Sequence, residues 1–140
     1  MPAWDCPQCG RRFARRGQGH ECAPAMALEE YLSTGPPFER PIVEAVLDRL
    51  ADLGPVHVEP VSVGVFLKRA ATFSELRPMT KWMAVSFGLP RSLHSARIAR
   101  KVIPYGSRFW HVVNVRSADE VDDELVGWLA EAYEAAPAAD

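Results

Sequence analysis

Beyond residue 22 the chain has no cysteine; all three, Cys6, Cys9 and Cys22, lie in the opening segment. A disulfide framework stapling the main body is thereby excluded, and thiols gathered in this way suit a metal site in a reducing, cytoplasmic setting. No apolar run reaches the ~18 residues that a membrane span requires. Residues 1–5 carry neither a basic stretch nor an apolar one, so a secretory leader is not expected. Acidic residues are nearly missing from 61–116, where Glu75 stands alone against ten Lys and Arg. Bases are missing from 117–140, which carry eight acids. Residues 1–22 run at +2 and 23–60 at −5, so the formal net charge of −2 conceals a strong segregation. Two readings follow. Either acidic helices at both ends balance a basic sheet within one fold, or the middle segment presents a basic face to phosphate or to an acidic partner. At 140 residues and 48 % hydrophobic content, the chain can bury one core and carry a small appendage.

That appendage is legible at the N-terminus. Cys6-Pro7-Gln8-Cys9-Gly10 has the two-residue spacing with which one tight turn aims two sulfurs at one ion, and Gly10 permits the positive φ such turns use. Ten residues later His20-Glu21-Cys22 supplies an imidazole and a third thiolate. Cys6, Cys9, His20 and Cys22 make a Cys3His set suited to a tetrahedral structural Zn2+. A redox Cys-x-x-Cys with an incidental third thiol is the alternative. Four protein ligands leave no open position for catalysis. His20 and Cys22 fall on one side only if the chain between them is extended. Gly17 and Gly19 weaken any helix there, so the expectation is a turn of helix at most near Phe13–Arg16, followed by an extended strand. Trp4 and Phe13 form a miniature core, and Arg11, Arg12, Arg15 and Arg16 offset the charge of three thiolates. A full recognition helix is missing, so the finger is not built to read a major groove.

After the linker Ala23–Ala25, Leu28–Leu32 can form a short helix, broken by Gly35-Pro36-Pro37. Pro41 opens a second helix whose Val43, Val46, Leu47 and Leu50 recur at helical spacing, and Gly54-Pro55 stops it. From Val56 the period becomes two through Leu67, which predicts one long strand. Further strands are predicted over Thr72–Arg77, Lys81–Phe87, Ala99–Ile103 and Phe109–Val115, with Pro104-Tyr105-Gly106 as a break. Ser117 and Glu120 fit a capping box for a last helix bearing Val121, Leu125, Leu129 and Tyr133 on one side. The expected fold class is α+β: a curled antiparallel sheet of about five strands flanked by two main helices and preceded by a small zinc finger. The expected division is a finger over 1–24 and an α+β domain over 25–140.

Val63-Gly64-Val65-Phe66, Phe73–Pro78, Trp82–Phe87, Glu120–Leu125 and Ala132-Tyr133 together resemble a bacterial domain-of-unknown-function family, number 5655, over roughly residues 30–135. Trp4-x-Cys6-Pro7-x-Cys9-Gly10-Arg11 and Gln18-x-His20-x-Cys22 are similar to a finger that often precedes it. The resemblance implies a small cytoplasmic α+β domain, and it brings no assigned reaction and no catalytic residues.

In the basic stretch, Lys68, Arg69, Arg77, Lys81, Arg100 and Arg108 are candidate phosphate contacts, interleaved with Phe66, Trp82, Tyr105 and Trp110. Aromatics among cations on an open sheet face suit single-stranded nucleic acid. The plainer alternative is a second small core under solvated cations. Tyr105-Gly106-Ser107-Arg108 could form an anion-holding turn. The expected function is a non-enzymatic zinc-binding protein with a basic surface for nucleic acid or another phosphate-bearing partner. A protein-interaction adaptor with an acidic partner is the alternative, and an enzyme using a pocket near Tyr105, Ser107 and His111 a third.

Overall fold

The computed structural model describes residues 3–137. Two short strands, β1 (Trp4–Asp5) and β2 (Arg12–Phe13), pair antiparallel and flank the Cys6–Cys9 turn. Then come α1 (Leu28–Ser33) and α2 (Glu39–Leu50), strands β3 (His57–Val61), β4 (Gly64–Lys68), β5 (Thr72–Pro78), β6 (Met83–Leu89), β7 (Ile103–Tyr105) and β8 (Arg108–Val115), and α3 (Asp123–Ala135). The six strands form one open antiparallel sheet in the order β3-β4-β5-β6-β8-β7. This is the expected mixed α+β class.

Three local readings are corrected. The long strand predicted from Val56 is a hairpin turning at Ser62-Val63. Its signature is a slip of phase: Val56 and Val58 are even, Val61, Val63, Val65 and Leu67 odd, and a turn must absorb the change. The strand expected over Ala99–Ile103 begins only at Ile103 and runs to Tyr105, so Pro104 lies inside an edge strand, where it is tolerated because its missing N–H faces no partner. The last helix is capped not by Ser117 but by Asp122, whose carboxylate accepts from the Leu125 N–H at 3.0 Å. Residues 118–120 form a separate 3-10 turn.

The helical stripes read from sequence do the packing. Ile42, Val43, Val46 and Leu50 of α2 and Leu125, Leu129, Ala132 and Tyr133 of α3 are buried against one sheet face. That face consists of Val65, Leu67, Leu76, Val85, Phe87, Val113 and Val115, alternate residues of β4, β5, β6 and β8. The intervening residues point to the opposite face, which divides in two. The N-terminal finger packs on it over β3 and β4, and among the described residues the part over β5, β6 and β8 carries no further element and is hollowed by two depressions.

The charge segregation has an internal explanation. Arg91 pairs with Glu131 at 2.9 Å, and Arg97 reaches Asp122 at 2.8 Å and Glu124 at 3.1 Å. The acidic last helix thus neutralises part of the basic middle segment within one fold, through exposed pairs of small individual value.

Candidate metal centre

Two antiparallel pairs, Trp4 with Phe13 and Asp5 with Arg12, bring the chain into and out of the Cys6–Cys9 turn. The Gly10 N–H donates to the Cys6 carbonyl at 2.8 Å, and the Cys6 N–H donates to the Arg11 carbonyl at 2.9 Å. Gly10 takes φ 75°, the left-handed value its lack of Cβ allows. A second turn follows, with Gly17 at φ 72° and the Gln18 N–H donating to Arg15. No helix forms over Phe13–Arg16, and the chain through His20–Cys22 lies outside regular structure.

The ligand atoms of Cys6, Cys9, His20 and Cys22 all lie within 4.8 Å of one another. Cys6 Sγ is 3.8 Å from Cys22 Sγ, and His20 Nε2 lies 3.4 Å from Cys9 Sγ and 3.2 Å from Cys22 Sγ. A tetrahedron with metal–sulfur bonds of ~2.3 Å and a metal–nitrogen bond of ~2.0 Å has edges of roughly 3.5–3.8 Å, so the set fits one ion. His20 Nδ1 is 2.7 Å from the Gln18 carbonyl; donation there fixes the tautomer and leaves Nε2 free to ligate. Phe13 stacks on the His20 ring at 4.0 Å, and Trp4 packs on both, the miniature core expected. The Cys9 N–H, donating to Cys6 Sγ, lowers the Cys6 thiol to about 6. Desolvation and the neighbouring Cys6 and Cys9 sulfurs push Cys22 up to about 11. Three thiolates so close repel one another, and a dication removes that repulsion. The cluster can hold a metal ion.

The finger is tied to the main domain by Glu59 on the outer side of β3, a residue that sequence reasoning passed over. Its carboxylate is 1 % exposed and is surrounded by donors. Arg11 Nε donates at 3.0 Å, the Arg12 N–H at 2.7 Å and Lys68 Nζ at 2.8 Å, and His57 Nε2 lies at 2.8 Å. Lys68 Nζ also donates to the Arg12 carbonyl at 2.6 Å and sits over the Phe13 ring. Burial alone would raise the Glu59 carboxyl, but Lys68, the Arg12 N–H and Arg11 outweigh it and hold it below the usual range. The Lys68 ammonium, out of water, is itself lowered despite Glu59. Arg11, expected to offset the thiolates, is spent here instead. An isolated Glu ahead of a valine-rich hairpin was the available signal, but nothing local named its partners.

The six candidate phosphate contacts separate. Lys68 is buried in the Glu59 cluster. Arg69 donates to the Tyr133 and Ala136 carbonyls at 2.9 and 3.1 Å, closing the end of α3. Arg77 pairs with Glu75, the lone acid of the basic stretch, at 3.0 Å on the open face, and with Arg100 it lines a depression that also includes Ser86. Lys81 is exposed in the β5–β6 turn. Arg108 sits beside Trp110 and Tyr105 in a larger groove. Phe66 is covered by Arg11 and Lys68. His111 does not join Tyr105 and Ser107: it is on the core face, fully buried, stacked on Phe87, and its Nε2 accepts from the Leu93 N–H at 2.9 Å. A groove does form at Tyr105 and Ser107, but His111 is not part of its lining, so the three residues suggested for an enzyme do not share one site.

Among the described residues, no helix is long and apolar enough to cross a membrane. The model of one family, Domain of unknown function (DUF5655), matches residues 28–136, from the start of α1 to just past α3. No curated protein and no solved structure matches the chain.

Proposed function

We propose that this chain, which belongs to the DUF5655 family, is a non-catalytic cytoplasmic binding protein. In this reading it holds one structural Zn2+ and offers its open sheet face to single-stranded nucleic acid or another phosphate-bearing partner. The spacing of Cys6, Cys9, His20 and Cys22 carries the zinc half: three sulfurs and one imidazole nitrogen gathered within 4.8 Å fill a tetrahedron. The ion's role is structural, because four protein ligands leave no position for a substrate or water. It closes the loop between β2 and the linker, and so holds Arg11 and Arg12 against Glu59.

The nucleic-acid half is supported by the open face. Arg77, Arg100 and Arg108 lie along it with Trp110 and Tyr105, and Lys81 stands at its end. Metal analysis should give about one zinc per chain, and Cys9→Ser should lose it; full zinc retention in Cys9→Ser would refute the ligand set. A labelled single-stranded oligonucleotide should bind at about 50 mM salt, with affinity dropping steeply as salt rises. Absence of binding there would leave the zinc assignment standing and remove the nucleic-acid reading in favour of an adaptor.

A further inference from the structure

The open face contains a groove of about 680 Å3 between the β7–β8 hairpin and the finger. Gln18 of the finger closes one side, and Ile103, Tyr105, Arg108, Trp110 and Ser86 line the rest. Tyr105 is 75 % exposed and Ile103 54 %, an apolar and aromatic rim unusual for a three-residue edge strand. Arg108 and Trp110 are two apart on β8, so both side chains stand on this face. Gly88, directly opposite Trp110, leaves room for both: a Cβ there would come within 3.0 Å of the indole and 3.2 Å of Arg108 Cδ.

Arg108 is the anomaly. Its side chain is partly buried, and its one polar contact is donation to the Thr72 carbonyl at 3.3 Å. No carboxylate comes within 4.0 Å of it among the described residues. The other unpaired cations there, Arg15, Arg16, Lys81, Arg100, Lys101 and Arg116, are exposed to water, and Arg69 is bound to carbonyls. Burial lowers the Arg108 guanidinium, with no acid to offset it. A cation drawn out of water without a counter-charge is costly, and a bound anion removes the cost.

We infer that this groove is a nucleotide subsite, in which a base lies against Trp110 and Tyr105 and its phosphate meets Arg108. The assignment rests on the phosphate-bearing partner proposed above and gives it a place and residues. A planar base suits an aromatic wall, and the guanidinium fork suits a phosphate. The adjoining depression lined by Arg77 and Arg100 shares Ser86 with the groove, which offers the next phosphate of a strand a second cation. The same chemistry could come from a free nucleotide or from one unit of a single strand.

The test uses the zinc-loaded full chain, titrated calorimetrically with AMP, adenosine and a ten-nucleotide single-stranded DNA. Arg108→Gln keeps a donor for Thr72 and removes the charge. Tyr105→Ala truncates an exposed ring outside the core. With melting curves unchanged, Arg108→Gln should weaken AMP or the oligonucleotide about tenfold and leave adenosine unaffected, whereas Tyr105→Ala should weaken all three several-fold. Binding of AMP without the oligonucleotide would support the subsite, identify a free nucleotide as its source and remove the strand reading. Oligonucleotide binding unchanged in both variants would overturn the groove while the broader reading survived. No binding by any of the three probes would overturn both.

Discussion

Replacing Glu59 by Gln tests how the finger is held. The substitution keeps size and one carbonyl acceptor but removes a charge that is 1 % exposed and touched by Arg11, Lys68, His57 and the Arg12 N–H. Arg11 and Lys68, 8 % and 2 % exposed, are then left as buried cations without a counter-charge. Breaking a buried pair from one side costs about 3–5 kcal/mol, and the retained amide oxygen favours the lower end, about 3 kcal/mol. For a chain of this size each kcal/mol moves the melting temperature by about 4 °C, so Glu59→Gln should melt about 12 °C lower at pH 7. The exposed Arg15 and Arg16 provide a second readout, since an undocked finger should be cut faster by trypsin. The pH dependence has a definite sign. Because the folded Glu59 carboxyl is held below its ordinary value, its stabilisation is complete above the unfolded pKa of about 4.3 and is lost as pH falls through the lower folded value. The gap between wild type and Glu59→Gln should therefore narrow below about pH 4. A variant melting within about 2 °C of wild type at pH 7, with unchanged proteolysis, would refute the claim that this cluster docks the finger.

Three further outcomes can be checked by melting curves. Glu39 is fully buried, accepts from the Tyr31 hydroxyl and has its second oxygen unpartnered; burial raises its carboxyl. For an acid raised in the fold, stability is lost as pH rises from the unfolded pKa of about 4.3 through the folded one, so Glu39→Gln should be more stable than wild type by about 1 kcal/mol at pH 7, with the gap closing toward pH 4. Arg69→Met should cost about 2 kcal/mol by freeing two carbonyls at the end of α3, without changing oligonucleotide affinity. Gly64→Ala should destabilise by about 1–3 kcal/mol, because its Cβ would come 2.6 Å from the Leu76 carbonyl oxygen, part of a paired strand that cannot yield.

The metal ligands and the core stripes were written locally. Cys6-x2-Cys9 with His20 and Cys22 is a spacing, and a turn followed by an irregular segment can satisfy it wherever the finger sits. The helical recurrence of Val43, Val46 and Leu50, and of Leu125, Leu129 and Tyr133, set the buried faces of α2 and α3 because 3.6 residues per turn bring them together. The alternation in β5, β6 and β8 did the same for the sheet. What failed was also local: the phase slip at Ser62-Val63 marked a turn, and Asp122 competed with Ser117 for the cap.

Side chain against side chain, tertiary structure alone decided what the cations do. Lys68 and Arg108 are both basic residues at the ends of strands in the same sheet, and nothing in the spacing separates them. Packing of the finger on β3 and β4 encloses Lys68 with Glu59 and Arg11, a contact joining residues 48 apart in the chain, while β5, β6 and β8 stay uncovered and leave Arg108 beside Trp110 without an acid. Periodicity determines which way a side chain points; what lies opposite depends on a long-range docking that no window of neighbouring residues encodes.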